Sequence, residues 1–140
     1  MIQTLLIAEG DPDLRDVFRE FLTREGYRVE TAADALDCVK KVREVMPAVL
    51  VLDLGLLWGG ADGVLAWLRE GAAMFGVPVV LTAPAGETRN LTRLIIPPVV
   101  SCLSKPFALT ALLASVRSAV APTERETREQ QCVYPEFFIG

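Results

Sequence analysis

The chain has 140 residues, a net charge of −4 and no histidine, and 51% of its residues are hydrophobic. This length fits one domain, and the hydrophobic content excludes a mainly disordered chain. Without histidine the sequence contains no Ser-His-Asp triad, no Cys-His pair and no histidine-ligated metal, and its acidic balance argues against direct binding of nucleic acid.

The three cysteines, Cys38, Cys102 and Cys132, are widely spaced and odd in number. This pattern argues against a disulfide framework or a zinc site and favours free thiols in a reducing compartment. The first residues include no basic stretch typical of a secretion signal. Residues 47–68 are apolar, but Asp53 and Asp62 interrupt them, so a membrane span is not expected. We therefore expect a cytoplasmic protein without membrane contact.

Short apolar runs alternate with amphipathic stretches along the chain. We predict, in order, a strand at 4–8, a helix at 12–25, a strand at 27–31, a helix at 33–45, a strand at 48–53, a helix at 62–74, a strand at 77–82, a short or irregular helix at 86–94, a strand at 99–103 and a helix at 107–120. Pro97 and Pro98 prevent the fourth helix from continuing.

Two of the predicted helices carry clear signals. Asp11 followed by Pro12 is typical of a helix start, and Gly26 of a helix end. The first helix has an apolar stripe made by Val17, Phe18, Phe21 and Leu22. The helix at 33–45 has a similar stripe made by Ala35, Leu36, Val39, Val42 and Val45. Both stripes are predicted to face the core.

Strands that alternate with helices predict an α/β fold with a parallel sheet and right-handed crossovers. For a chain of this size we predict a doubly wound sheet of five strands in the order 2-1-3-4-5. In such sheets, ligands bind at the carboxyl ends of the strands, where the winding reverses between strands 1 and 3.

Several polar residues come directly after these strand ends. Glu9 and Asp11 follow strand 1, Asp53 ends strand 3, Thr82 ends strand 4 and Lys105 follows strand 5. A carboxylate that ends a buried apolar strand is costly without a partner. Together the residues fit a site for Mg²⁺ and a phosphoryl group. Taken singly, Asp11 could be only a helix cap, Thr82 only a strand former and Lys105 only a solvated charge.

The motifs LVLD, VVLTA and LSKPF, with an acid after strand 1, give this pattern a specific spacing. The pattern resembles the receiver domain of two-component response regulators, over residues 3–120. The resemblance implies a flavodoxin-like fold, and a phosphoacceptor domain rather than an enzyme, with self-catalysed phosphotransfer and dephosphorylation at most. We therefore divide the chain into a receiver domain, 1–120, and a tail, 121–140.

The resemblance also implies roles for single residues. Asp53 would accept a phosphoryl group from a histidine kinase or a histidine phosphotransfer protein. Thr82 and Lys105 would bind that group, and the Lys105–Pro106 peptide would be cis. Mg²⁺ would be held by Glu9, Asp53 and the backbone carbonyl of Gly55, with Asp11 as a further candidate ligand. Output would pass through contacts with a downstream protein.

The sequence departs from the family pattern at three places. Gly10 stands where the family has a second acid, so we expect weak Mg²⁺ binding. In the loop after strand 3, Leu57 replaces a proline, Asp62 arrives two residues late, and Trp58 is available for packing, for covering the site or for a partner contact. Cys102 occupies the position of the aromatic switch residue, so the usual coupling between hydroxyl and ring cannot operate in its ordinary form.

The tail differs in character from the domain. Thr123 and Glu126 form a capping-box pattern, which predicts a short polar helix. An aromatic and apolar segment, VYPEFFI, follows at residues 133–139. It would either pack on its own domain or dock on a partner or a second copy. Residues 88–120 contain four basic residues and no acid, which argues against dimerisation through that region by paired charges, and the oligomeric state stays open.

Three classes of function remain. The first is a stand-alone receiver that is phosphorylated on Asp53. The second is a pseudo-receiver, an interaction module that keeps the fold without taking phosphate, which Gly10 and Cys102 favour. The third is an aspartyl phosphatase, which Gly55 argues against because that chemistry usually needs a second aspartate there.

Overall fold

A computed structural model describes residues 2–56, 60–71 and 75–120. Its strands are β1 Thr4–Ala8, β2 Arg28–Ala32, β3 Val49–Asp53, β4 Val79–Ala83 and β5 Val99–Ser104. They form one parallel sheet in the order β2-β1-β3-β4-β5. This order confirms the predicted flavodoxin-like, doubly wound fold. Leu57 and Trp58 and the tail elements predicted after residue 120 lie outside the described residues.

Helices cover both faces of the sheet. They are α1 Pro12–Arg24, α2 Ala35–Val45, α3 Gly60–Glu70 and α4 Leu109–Val120. Buried side chains of α2 and α3 pack on one face, and those of α1 and α4 pack on the other. Strands β3 and β4 are buried at every position, as expected for central parallel strands. None of the described helices is long and apolar enough to cross a membrane.

The first helix begins and ends where the sequence predicts. The Asp11 carboxylate accepts hydrogen bonds from the backbone N–H groups of Asp13, at 2.9 Å, and Leu14, at 3.4 Å. It therefore satisfies two of the N–H groups that the first turn of a helix leaves without partners. Gly26 follows the last turn with φ at +100°, a conformation that glycine adopts without strain.

Two residues that we assigned to buried stripes are exposed. Val17 on α1 is 45% exposed, and Leu36 on α2 is 73% exposed. Each directly precedes or follows a buried residue, Phe18 or Ala35, and neighbours on a helix point about 100° apart. The assignment was wrong because an apolar residue next to a stripe does not belong to its face.

The segment predicted as the fourth helix contains only a 3₁₀ helix, Leu91–Leu94. The Asn90 side chain caps it by accepting a hydrogen bond from the Thr92 N–H at 3.1 Å. The two prolines then end it, and the Pro97–Pro98 peptide is cis. The prediction of a short or irregular element is confirmed. Helix α3 begins at Gly60, two residues earlier than predicted.

Two leucines of very different exposure provide a direct test of where the core lies. Leu50 on β3 is fully buried, whereas Leu36 is 73% exposed. We expect Leu50→Ala to lower the free energy of unfolding by about 2–5 kcal/mol, because it opens a cavity. The matched Leu36→Ala should change it by less than about 0.5 kcal/mol. Urea unfolding measures both, and similar losses would contradict the described packing.

Candidate functional site

Three polar side chains are buried at the carboxyl edge of the sheet. Glu9, Asp53 and Thr82 are 2%, 5% and 1% exposed. Asp53 and Thr82 are register partners on neighbouring strands. The Glu9 N–H donates to the Ala32 carbonyl at 3.1 Å, which fixes the end of β1 against β2. The sheet itself therefore holds these residues close together.

Lys105 supplies the positive charge of this site. Its Nζ lies 2.9 Å from Glu9 Oε1 and 3.4 Å from Asp53 Oδ1. The Lys105 side chain is only 17% exposed, so water screens these ion pairs weakly. One ammonium group thus compensates two buried carboxylates.

Burial raises the pKa of the Glu9 carboxyl above its usual range. The Asp11 N–H, which donates to Glu9 Oε2 at 3.0 Å, and the Lys105 ammonium both oppose this rise in pKa, while the nearby Asp53 carboxylate adds to it. A carboxyl whose pKa is raised by folding favours the folded state below its ordinary pKa. This contribution is lost as pH rises through the folded-state value.

The Asp53 carboxylate is oriented by its own loop. Its Oδ1 accepts a hydrogen bond from the Gly55 N–H at 2.9 Å. A Cβ on residue 55 would lie 3.4 Å from Asp53 Oδ1, so the glycine leaves the space next to this carboxylate oxygen free of a side chain. On the neighbouring strand, Thr82 Oγ1 is buried and has no hydrogen-bond partner among the described residues. A buried hydroxyl without a partner is uncommon.

Asp11 and Gly10 are placed differently from the other candidate residues. The Asp11 side chain is exposed and caps α1. A Cβ at Gly10 would meet only the Ala33 carbonyl oxygen, at 4.0 Å. There is therefore room for a longer side chain at position 10. Glu9 is the one carboxylate that this loop directs toward the buried site.

The oxygen atoms at this edge suit a hard cation such as Mg²⁺ in kind, although few are available. Glu9, Asp53 and the Gly55 carbonyl could supply three ligands, and water would have to complete the coordination. Among the described residues no group of three Asp, Glu, Cys or His side chains is arranged to hold a metal ion. The donor set thus fits a weakly bound Mg²⁺, which would share its carboxylates with Lys105.

An open cleft of about 690 Å³ leads to these carboxylates. One of its walls is apolar and includes Leu14, Phe18 and Phe107. The two rings stack with their centroids 5.5 Å apart. We did not predict this wall, because its residues belong to α1 and to the segment after β5, and only their positions near the strand ends signal their proximity.

Arg15 is a second residue that the sequence reasoning missed. Its Nη1 donates to the Glu9 carbonyl oxygen at 2.9 Å and so ties α1 to the end of β1. A basic residue near a helix N-terminus is unfavourable for the helix dipole. That unusual placement was the available signal.

The remaining candidate residues lie as follows. Cys102 is half-buried and packs against the core, and burial raises the pKa of its thiol. Asp62 lies away from the carboxylates and pairs with Arg89 at 3.1 Å. The Lys105–Pro106 peptide is cis. Because residue 102 is a cysteine, the site lacks the aromatic ring that the family pattern places at this position.

Comparisons with known proteins agree with this fold. Protein Rrf1 of Nitratidesulfovibrio vulgaris is 30% identical over 123 residues, which are 88% of this chain and 86% of Rrf1. The DNA-binding response regulator MtrA of Mycolicibacterium smegmatis is 28% identical over 92% of this chain, which spans only 55% of MtrA. The signal receiver domain of a putative Luxo repressor protein from Vibrio parahaemolyticus has the same fold, with a TM-score of 0.81 at 20% identity over 91% of this chain and 96% of that domain.

The family model described as the response regulator receiver domain matches residues 5–117. That range contains β2 to β5, all of β1 except Thr4, and every polar residue of the buried site. The chain therefore belongs to the response regulator receiver domain family.

Proposed function

We propose that this protein is a phosphorelay receiver that takes a phosphoryl group on Asp53 from the histidine of a partner kinase or phosphotransfer protein. The observation that carries the proposal is the convergence of Asp53, Lys105 and Thr82 at one buried edge of the sheet. A phosphoryl acceptor needs a nucleophilic oxygen, compensating positive charge and a hydrogen-bond donor, and these three side chains supply them.

The proposed step is an in-line displacement at phosphorus. An oxygen of the Asp53 carboxylate forms the new P–O bond while the P–N bond to the partner's imidazole breaks. The imidazole leaves with the electron pair of that bond and takes up a proton. Because the receiver provides position and charge rather than covalent chemistry, the absence of histidine from this chain is consistent with the proposal.

Lys105 and Thr82 would bind the transferred group. The Lys105 ammonium already lies 3.4 Å from Asp53 Oδ1, so a short movement would bring it to a phosphoryl oxygen. Thr82 Oγ1 would gain the hydrogen-bond partner that it otherwise lacks among the described residues. The new hydrogen bond of Thr82 would favour the phosphorylated state because it pairs a buried hydroxyl, and Lys105 would balance part of the added negative charge.

Glu9, Asp53 and the Gly55 carbonyl would hold Mg²⁺, and when bound the ion would neutralise negative charge on the phosphoryl oxygens. Asp11 is a poorer ligand, because capping α1 occupies its carboxylate. Gly10 removes the acid that would add a ligand at this edge. We therefore propose that Mg²⁺ binds weakly and that Lys105 carries part of the neutralisation.

The apolar wall of the cleft suits a partner helix that presents the phosphohistidine. Leu14 and Phe107 line the same cleft as the acceptor carboxylate, where apolar residues next to the partner's histidine could pack, whereas Phe18 is only 4% exposed and supports the wall from below. Contact with a cytoplasmic kinase or phosphotransfer protein, followed by contact with a downstream protein, would complete the signalling function. The reading as a phosphorylation-independent module remains a second candidate, favoured by Gly10 and by the cysteine at position 102.

Phosphorylation of Asp53 can be tested with a small phosphoryl donor such as acetyl phosphate and Mg²⁺. We expect intact-mass spectrometry to show one added phosphoryl group on the wild type and none on Asp53→Asn. Asp13→Asn, which changes an exposed carboxylate on α1, should be labelled like the wild type. Labelling of Asp53→Asn to the wild-type extent would contradict the assignment.

Gly10→Asp tests the missing ligand. The structure has room for this side chain, since a Cβ at Gly10 meets nothing closer than 4.0 Å. We expect the substitution to tighten Mg²⁺ binding about tenfold or more, measured by calorimetric titration. Gly63→Asp adds the same charge on α3, where a Cβ also has open space, and should leave the affinity nearly unchanged. Equal effects of the two variants would mean that the added negative charge acts only through long-range electrostatics, and would contradict a role for position 10 as the missing Mg²⁺ ligand.

Lys105→Met tests the charge balance of the site. Removing the ammonium leaves Glu9 and Asp53 buried without their cation, so we expect a loss of about 1–3 kcal/mol in the free energy of unfolding at neutral pH. The loss should shrink as pH falls, because the Glu9 pKa is raised and protonation removes one of the two negative charges. Urea unfolding across pH, with the exposed Lys40→Met as control, measures this. A loss that grows at lower pH would contradict the charge assignment.

A further inference from the structure

Three large apolar side chains are exposed together where the chain enters β5. Ile95, Ile96 and Val100 are 44%, 54% and 46% exposed. Val100 is the extra residue of an irregularity in the β4–β5 pairing, since Val79 pairs with Val99 and Val80 with Ser101. We call Ile95, Ile96 and Val100 the edge patch.

The edge patch is exposed to solvent because the segment before β5 forms only one 3₁₀ turn, Leu91–Leu94, instead of a full helix. Strand β5 is also the last strand of the sheet, so one side of its backbone has no neighbouring strand within residues 2–56, 60–71 and 75–120. Residues 94–104 contain no charged side chain. An uncharged apolar edge invites pairing with other chains, and proteins commonly cover or charge such edges.

Two cations flank the edge patch. Arg69 Nε donates to the Pro97 carbonyl at 3.2 Å, and Arg93 lies two residues before Ile95. Both are exposed, and neither forms an ion pair with a carboxylate among the residues that the structure describes. An occupant of this surface should therefore combine apolar side chains with negative charge.

The chain itself continues from a nearby point. Helix α4 begins beyond the carboxyl end of β5 and packs along the sheet, so its last residue, Val120, lies toward the end of the sheet where the strands begin. Twelve residues, 121–132, separate it from the segment of residues 133–139, VYPEFFI. Twelve residues can span up to about 40 Å, whereas β5 is only about 20 Å long. The distance along the chain thus permits contact within one molecule.

We propose that residues 133–139 pack on the edge patch of the same molecule. Phe137, Phe138 and Ile139 supply the apolar cover, and Glu136 supplies the charge that Arg69 and Arg93 attract. Residues 121–140 carry four acids and two bases, and of the four bases in residues 88–120 only Arg93 forms no ion pair among the described residues. This contact is independent of phosphorylation on Asp53.

A double-mutant cycle on the full chain tests the contact. We expect the double substitution Phe137→Ala and Phe138→Ala to lower the urea midpoint of the wild type. In an Ile96→Ser background the same double substitution should have little further effect, because the contact is already weakened. In a Leu36→Ser background, with a change at an exposed leucine on α2, the wild-type loss should be retained. Equal losses in all three backgrounds, or no loss at all, would overturn the proposal.

Thiol footprinting gives an independent measurement. In Val100→Cys, the new thiol should react with a maleimide several-fold more slowly than it does when Phe137 and Phe138 are also replaced by alanine, as read by peptide mass spectrometry. In Leu36→Cys, replacing the two phenylalanines should not change the rate. Protection that appears only as protein concentration rises would assign the edge patch to a second copy and overturn the intramolecular contact, as would an unprotected residue 100.

Discussion

The buried ion cluster of Lys105 with Glu9 and Asp53 is the interaction on which the site depends. Two carboxylates at 2% and 5% exposure would repel one another, and their desolvation cost would be uncompensated, if no cation lay beside them. The parallel sheet creates the cluster, because Asp53 ends β3 while Glu9 and Lys105 directly follow β1 and β5 at the same edge. The same ammonium that stabilises the resting site is placed to bind an incoming phosphoryl group, so stability and the proposed function share one residue.

Most of the fold follows from local patterns in the sequence. The runs TLLIA and VVLTA are apolar except for one threonine each, as expected for buried parallel strands, and each lies within one residue or two of its predicted position. The Asp11 cap and Gly26 mark the ends of α1. Exposure of Val17 and Leu36 was not predictable from hydrophobicity alone, since a rotation of one residue moves a side chain from the core face to water.

The site was less completely predictable, because its details depend on contacts between distant segments. The positions of Glu9, Asp53, Thr82 and Lys105 follow from the rule that parallel strands present their carboxyl ends together. The stacking of Phe18 on Phe107 joins two segments that are far apart in the chain, and local sequence patterns do not encode it. Gly10 illustrates both cases. The sequence shows that an acid is missing at this position, and only the structure shows the open space that the glycine leaves.

We propose that a site with only two inward-facing carboxylates still binds a phosphoryl group on Asp53. Titration with beryllofluoride, a phosphoryl mimic, in the presence and absence of Mg²⁺ tests this most directly, with ¹⁹F NMR as the measurement. We predict saturable binding that needs Mg²⁺ and is lost in Asp53→Asn. No bound signal at millimolar beryllofluoride and Mg²⁺ would contradict the claim and favour a pseudo-receiver.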